Sequence, residues 1–170
     1  MVLMALVVDR PGTLARMTQL CGRRGWNVES CTVSLTDEPD VKRITLFLDC
    51  REDPDRLVRP FLALTDILEA RAIEDGGHVD RELLLAKVRL GPDGGLPPAL
   101  MALGARMVWR AGDIAVAEAT GSHEVIDPLV AAPPPGVIEA VVTGRTCLEA
   151  GPEHIALPPH EAEPAEGRGL

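Results

Sequence analysis

Aromatic residues are nearly absent from this chain: two Phe, two Trp and no Tyr among 170 residues. That excludes a platform on which nucleic-acid bases stack, and it leaves the core to aliphatic side chains. Positive charge is scarce as well. With 17 Lys and Arg against 26 Asp and Glu, the formal net charge is −9, which opposes binding to a phosphate backbone. No apolar run reaches the length of a membrane span, and the N-terminus has no basic region followed by a small-residue cleavage site. No membrane and no nucleic acid are therefore expected as partners, and the cytoplasm is the expected location. The four cysteines, Cys21, Cys31, Cys50 and Cys147, form no CxxC pair, which predicts free thiols behaving mostly as small buried hydrophobes.

Enzymatic signatures are missing too. There is no GxSxG, no HExxH, no phosphate-binding loop and no G-x-G-x-x-G after a strand. His78, His123, His154 and His160 lie far apart without ligand spacing, so structural or surface roles are expected for them and no metal site. Cys21 and Cys147 have no activating base beside them in the sequence. The acidic runs Asp37, Glu38, Asp40 and Glu52, Asp53, Asp55 fall in turns and at helix starts, where carboxylates favour the helix N-terminus and solvate the surface.

What the chain does contain is 46% hydrophobic residues in a regular order. The apolar run Val2 to Val8 reads as a central strand, and Asp9-Arg10-Pro11-Gly12-Thr13-Leu14 turns it into a helix ending at Gly25, with Leu14, Met17, Leu20 and Cys21 inward. Val28 to Leu35 alternates, with Glu29, Cys31, Val33 and Leu35 on one face and Val28, Ser30, Thr32 and Ser34 on the other. Lys42 to Cys50 alternates again, with Ile44, Leu46 and Leu48 inward. A second helix opens at Asp53-Pro54, where Pro60 predicts an irregular first turn or a later start. Ile67 to Ile73 closes a βαββαβ unit. A second unit of the same order follows: a strand from Leu83 to Leu90, a short helix from Pro97 to Leu103, a hairpin around Ala111-Gly112, a helix from Glu124 to Ala131 and a strand from Val137 to Leu148. The fold class is α+β, two ferredoxin-like βαββαβ domains with each antiparallel sheet carrying its helices on one face. Residues 152–170, rich in Pro, Glu, Ala and Gly, read as a disordered tail.

The Asp9–Leu14 loop is the one candidate site. A strand that turns through Pro-Gly into a helix leaves the first backbone N–H groups without partners at the positive end of the helix dipole, which suits a carboxylate. Asp9, across the turn, suits an ammonium group. An amino acid carries both. Asn27, at the far end of the helix, either caps it or contacts a ligand held by a neighbouring copy.

The residues around this loop, DRPGTLAR and RRGWNVESCTVSLTD between Val7 and Thr36, resemble the ACT domain of the acetolactate synthase small regulatory subunits. The segment from Gly77 to Leu85 is similar to that family's HVERELML junction. Gly136-Val137-Ile138-Glu139-Ala140 with Thr143-Gly144-Arg145 and Leu148 is similar to its closing pattern. The resemblance spans residues 2–151. It implies an ACT domain over residues 1–76 and a C-terminal ferredoxin-like domain over 77–151.

It also implies a chain that is not itself an enzyme. Such a subunit binds and activates a catalytic (large) subunit holding thiamine diphosphate, magnesium and FAD, and confers feedback inhibition by valine or another branched-chain amino acid. No cofactor is implied in this chain. The family's effector site falls on Asp9, Gly12 and Thr13 of one protomer and on Asn27 and Val28 of the other, in a homodimer joined through the ACT domains. This chain has Asp9 where valine-binding members often have Asn, Trp26 in place of Tyr or Phe, a short helix after Pro97, and Val142 in place of Arg. Two other readings are a stand-alone ACT amino-acid sensor and an activating subunit that has lost feedback control.

Overall fold

The computed structural model describes residues 1–152 and 155–156. Most of the segment expected to form the tail, with His154 and His160, lies outside the described residues. β1 (Val2–Val8), α1 (Thr13–Arg24), β2 (Asn27–Leu35), β3 (Val41–Asp49), α2 (Pro54–Leu62) and β4 (Ile67–Ile73) form the first unit. β5 (His78–Arg89), α3 (Pro98–Ala102), β6 (Arg106–Ala111), β7 (Ile114–Gly121), α4 (His123–Ala131) and β8 (Val137–Val142) repeat the order, and β9 (Thr146–Glu149) is added at the end. The sheets run β2-β3-β1-β4 and β6-β7-β5-β8, the same antiparallel path twice.

Each helix forms where its local chemistry requires. Gly12 enters α1 at φ +87°, and Gly25 leaves it at φ +71° with its N–H on Cys21 O and Gly22 O. Both positions are left-handed and favour glycine. The buried stripe of α1 is Thr13, Met17, Leu20 and Cys21; Leu14 lies off it and is exposed. The Asp53 carboxylate caps α2 by accepting from the Asp55 and Arg56 amides, with Pro54 in the first turn, so this helix starts regularly where the motif begins. Pro60 falls instead in the closing turns, two residues before the helix stops.

Three further differences from the expected pattern have physical causes. A bulge at Glu29 shifts the β2 register between Val28 and Ser30. Val28 and Cys31 therefore share the helix-side core, and simple alternation fails there. β5 starts at His78, ahead of Leu83, because its first four residues pair with β9. The run Val137 to Leu148 is two strands, broken at Thr143-Gly144-Arg145 so that the chain can leave the second sheet and cross the first.

That crossing explains why β1 is apolar at every position. One face packs on α1 and α2 through Leu3, Ala5 and Val7, with Met17, Leu46, Leu57, Phe61 and the stacked Trp26. The other face, with Val2, Met4 and Phe47, is covered by Cys147 and Ile155. Burying each such side chain stabilises the fold by about 1.5–3 kcal/mol. The crossing segment is fixed to β2 by its backbone. The Arg145 N–H donates to Ser30 Oγ at 2.8 Å, and Thr32 Oγ1 donates to Arg145 O at 3.1 Å. The Arg145 guanidinium lies 4.6 Å from the Phe47 ring centroid.

Gly144 makes this contact possible, since a Cβ there would stand 2.7 Å from Cys31 O and 2.8 Å from Thr32 Cγ2. Gly144→Ala is expected to lower stability by about 1–3 kcal/mol through overpacking, measured by urea unfolding. An unchanged midpoint and slope would show that the crossing segment does not hold the sheet.

Candidate functional site

The Asp9–Leu14 loop is pinned from two sides. The Val8 N–H bonds Asp66 O at 2.9 Å, and the Asp9 N–H bonds Asp40 O at 2.8 Å, tying the loop to the segments that lead into β4 and β3. The Arg16 N–H reaches Gly12 O at 2.9 Å, while the Thr13 N–H turns back to Arg10 O at 3.3 Å. Among the described residues the amides of Gly12, Leu14 and Ala15 meet no backbone acceptor. No side chain caps the helix, and no acidic residue occupies its first turn. The positive end of α1 is left open to an anion.

Charged side chains frame this opening, several of them not singled out by the motif. Asp66 is buried and paired with Arg16, and Arg10 Nη1 lies 3.9 Å from its other oxygen. Arg16 also donates to Thr13 Oγ1 at 3.2 Å, and its guanidinium crosses over Gly12, where a Cβ would come within 2.9 Å. Lys42 Nζ stands 3.3 Å from Asp9 Oδ2, so the half-exposed Asp9 carboxylate already has a cation beside it. Arg10 and Arg16 belong to the motif itself, whereas Lys42 and Asp66 are distant in sequence and are brought in by pairing of β1 with β3 and β4.

Asn27 and Val28 lie elsewhere within one chain. β1 and β2 both pair antiparallel with β3 and so run in the same direction. Leu35 faces Lys42 and Val8 faces Val41, which puts the end of β2 level with the loop; Asn27 faces Asp49 at the other end. Eight residues of strand separate these levels, about 26 Å. β2 is an end strand of its sheet, and Val33, Leu35 and Leu14 are exposed near the loop end.

The remaining titratable groups are arranged structurally. His78 and His123, distant in sequence, meet at a cleft of about 540 Å³ between the two units, together with Arg145. His123 Nδ1 is 3.4 Å and Arg145 Nε 3.7 Å from the buried Glu82 carboxylate, and His78 sets its edge on Phe47. Among the described residues no group of three His, Cys, Asp or Glu is placed to hold a metal ion. All four thiols are free. Burial pushes each of them upward, Cys21 to about 11 from an ordinary 9.0, so they are held as unreactive thiols. No helix among the described residues is long and apolar enough to cross a membrane.

The βαββαβ unit, with its first strand–helix loop open, has the architecture of an ACT-type domain. In agreement, residues 3–69 match the family model described as "AHAS small subunit-like ACT domain". An acetolactate synthase small subunit of Mycobacterium avium is 31% identical over 156 residues, covering 90% of this chain and 93% of the relative. That of Mycobacterium leprae is 32% identical over 157 residues, covering 90% and 93%. The crystal structure of an acetolactate synthase small subunit from Thermotoga maritima superposes with a TM-score of 0.74 at 21% identity, covering 87% of this chain and 95% of that one, and shares the fold. This chain belongs to the acetolactate synthase small-subunit family, whose members are regulatory, non-catalytic chains built on an ACT domain.

The thiol environment gives a direct expectation. Below pH 9 both folded and unfolded Cys21 keep the proton; between pH 9 and about 11 only the unfolded chain releases it, so stability is lost across that window. Cys21→Ala should make the fall shallower in denaturant titrations. In the native chain at pH 8, Cys21 and Cys147 should resist a disulfide reagent until the protein is unfolded. Immediate reaction of all four thiols would contradict the packing.

Proposed function

We propose that this chain is the regulatory partner of an acetolactate synthase catalytic subunit. It raises that subunit's activity and makes it responsive to valine or another branched-chain amino acid. Residues 1–76 form the ACT domain and 77–151 the C-terminal domain, divided at the Asp75-Gly76 turn before β5. Thiamine diphosphate, magnesium and FAD belong to the catalytic subunit.

The observation that carries the effector reading is the open N-terminus of α1 set beside a neutralised Asp9. The helix amides at Gly12 and beyond receive the ligand's carboxylate, with Thr13 fixing the helix entry. Asp9 accepts from the ammonium group. Its own charge would repel the carboxylate, and Lys42 at 3.3 Å offsets it.

The site is completed in a homodimer. If two copies pair their β2 edges about a two-fold axis, the strands run antiparallel and the N-terminal end of one β2 meets the C-terminal end of the other. Asn27 and Val28 of the partner subunit then reach the loop that they cannot reach within one chain. The same pairing covers Val33 and Leu35 and satisfies a free strand edge. β2 also carries Ser30 and Thr32, which grip Arg145. A shift of β2 on ligand binding is thereby felt in the second unit, the kind of two-ended contact that allostery requires.

The test is reconstitution of the purified chain with its separately made catalytic subunit. Acetolactate formation should rise on mixing and fall when valine is added; no change in either condition would sink the proposal. Asp9→Ala should weaken effector binding about 10- to 100-fold, the loss of one charged hydrogen bond, read by calorimetric titration. An activating subunit without feedback control would raise the rate yet show no heat with valine, leucine or isoleucine. A stand-alone sensor would bind the amino acid and fail to co-elute with the catalytic subunit, a reading that the second unit strapped onto the ACT sheet disfavours.

A further inference from the structure

The end of the first unit remote from the Asp9 loop holds an unexplained concentration of positive charge. Arg24 closes α1, and Arg56 and Arg59 stand three residues apart on one face of α2. These three exposed arginines line one pocket of about 540 Å³, whose only acidic lining residue is Glu52. Trp26, Pro60 and Ala63 supply its apolar wall, and the Arg24 guanidinium lies 5.8 Å from the Trp26 ring centroid.

Among the described residues, Arg10, Arg16, Arg71, Arg89, Arg106 and Arg145 each reach a carboxylate. The three pocket arginines form no ion pair there, and neither do Arg23, Arg43, Arg51, Arg81 and Arg110; what sets the three apart is that they line one cavity. Arg24 and Arg59 are in the last turns of their helices, where a cation complements the helix dipole. Arg56 has no such reason. It sits in the first turn of α2, against the positive end of the dipole, and one turn from the like charge of Arg59. Among the described residues no carboxylate forms an ion pair with Arg56, although Glu52 lines the same pocket.

We propose that this pocket binds a small multiply charged anion through its phosphate groups. A single carboxylate occupies one guanidinium fork; three forks around one cavity match the several oxygens of a diphosphate-sized group. The volume is in the range of small-molecule sites. The pocket is separated from the Asp9 loop by the 12 residues of α1, about 18 Å, so the proposal does not rest on the branched-chain amino acid reading.

The test uses the full chain titrated with inorganic pyrophosphate by calorimetry at fixed ionic strength. One saturable site is expected, weakened about 10-fold by Arg56→Gln and further by Arg56→Gln with Arg59→Gln, since each substitution removes a charged hydrogen bond. Circular dichroism melts should show both variants folded, and their response to valine should equal that of the parent. Absence of saturable heat at millimolar pyrophosphate, or equal affinity in the double variant, would overturn the proposal. Citrate binding as tightly as pyrophosphate would overturn the assignment to phosphate.

Discussion

The Arg145 crossing is the contact on which the arrangement of this molecule depends. An antiparallel sheet with helices on one face ordinarily leaves its other face to water. Here the chain returns from the second sheet, lays Cys147 and Ile155 against Val2, Met4 and Phe47, and fixes itself to β2 through Ser30 and Thr32. The outer face of the first sheet becomes a second core. Without that cover, Phe47 and the even-numbered residues of β1 would be stranded in solvent.

The same contact ties the second unit to the edge of the first sheet. It touches β2, the end strand whose far residues are Asn27 and Val28, and it buries Glu82 between His123 and Arg145 at the seam. β2 thus has a free edge on one side, while Ser30 and Thr32 hold the crossing segment. The loop at the other side of the sheet has a different character. Its backbone is tied to the segments before β3 and β4, and its charge is balanced locally by Lys42, Arg16 and Asp66.

Several departures from simple periodicity trace to tertiary causes. Leu14 continues the helical spacing of Met17 and Leu20 yet lies outward, because α1 begins at Gly12 in a left-handed conformation and the centre of its buried stripe falls on Thr13. Glu29 breaks the alternation of β2 by a bulge that no pattern of apolar residues announces. His78 and His123 lie 45 residues apart and meet only because β5 and α4 share the seam between units.

Local sequence determined the elements and their order. Apolar period, Gly12 and Gly25 at the ends of α1, the Asp53-Pro54 start of α2 and the Ala111-Gly112 turn act through neighbours in the chain, so they are legible residue by residue. The loop that opens the N-terminus of α1 was legible for the same reason, as were Asp9 and Gly12 within it. Tertiary structure alone decided that Lys42 and Asp66 join that loop, that Asn27 and Val28 stand about 26 Å away within one chain, and that three arginines share a pocket. Those facts depend on strand pairing and helix packing between residues distant in sequence, where a long-range contact leaves no periodic trace. The fold was written in spacing; the electrostatics of its surface were set only when the strands came together.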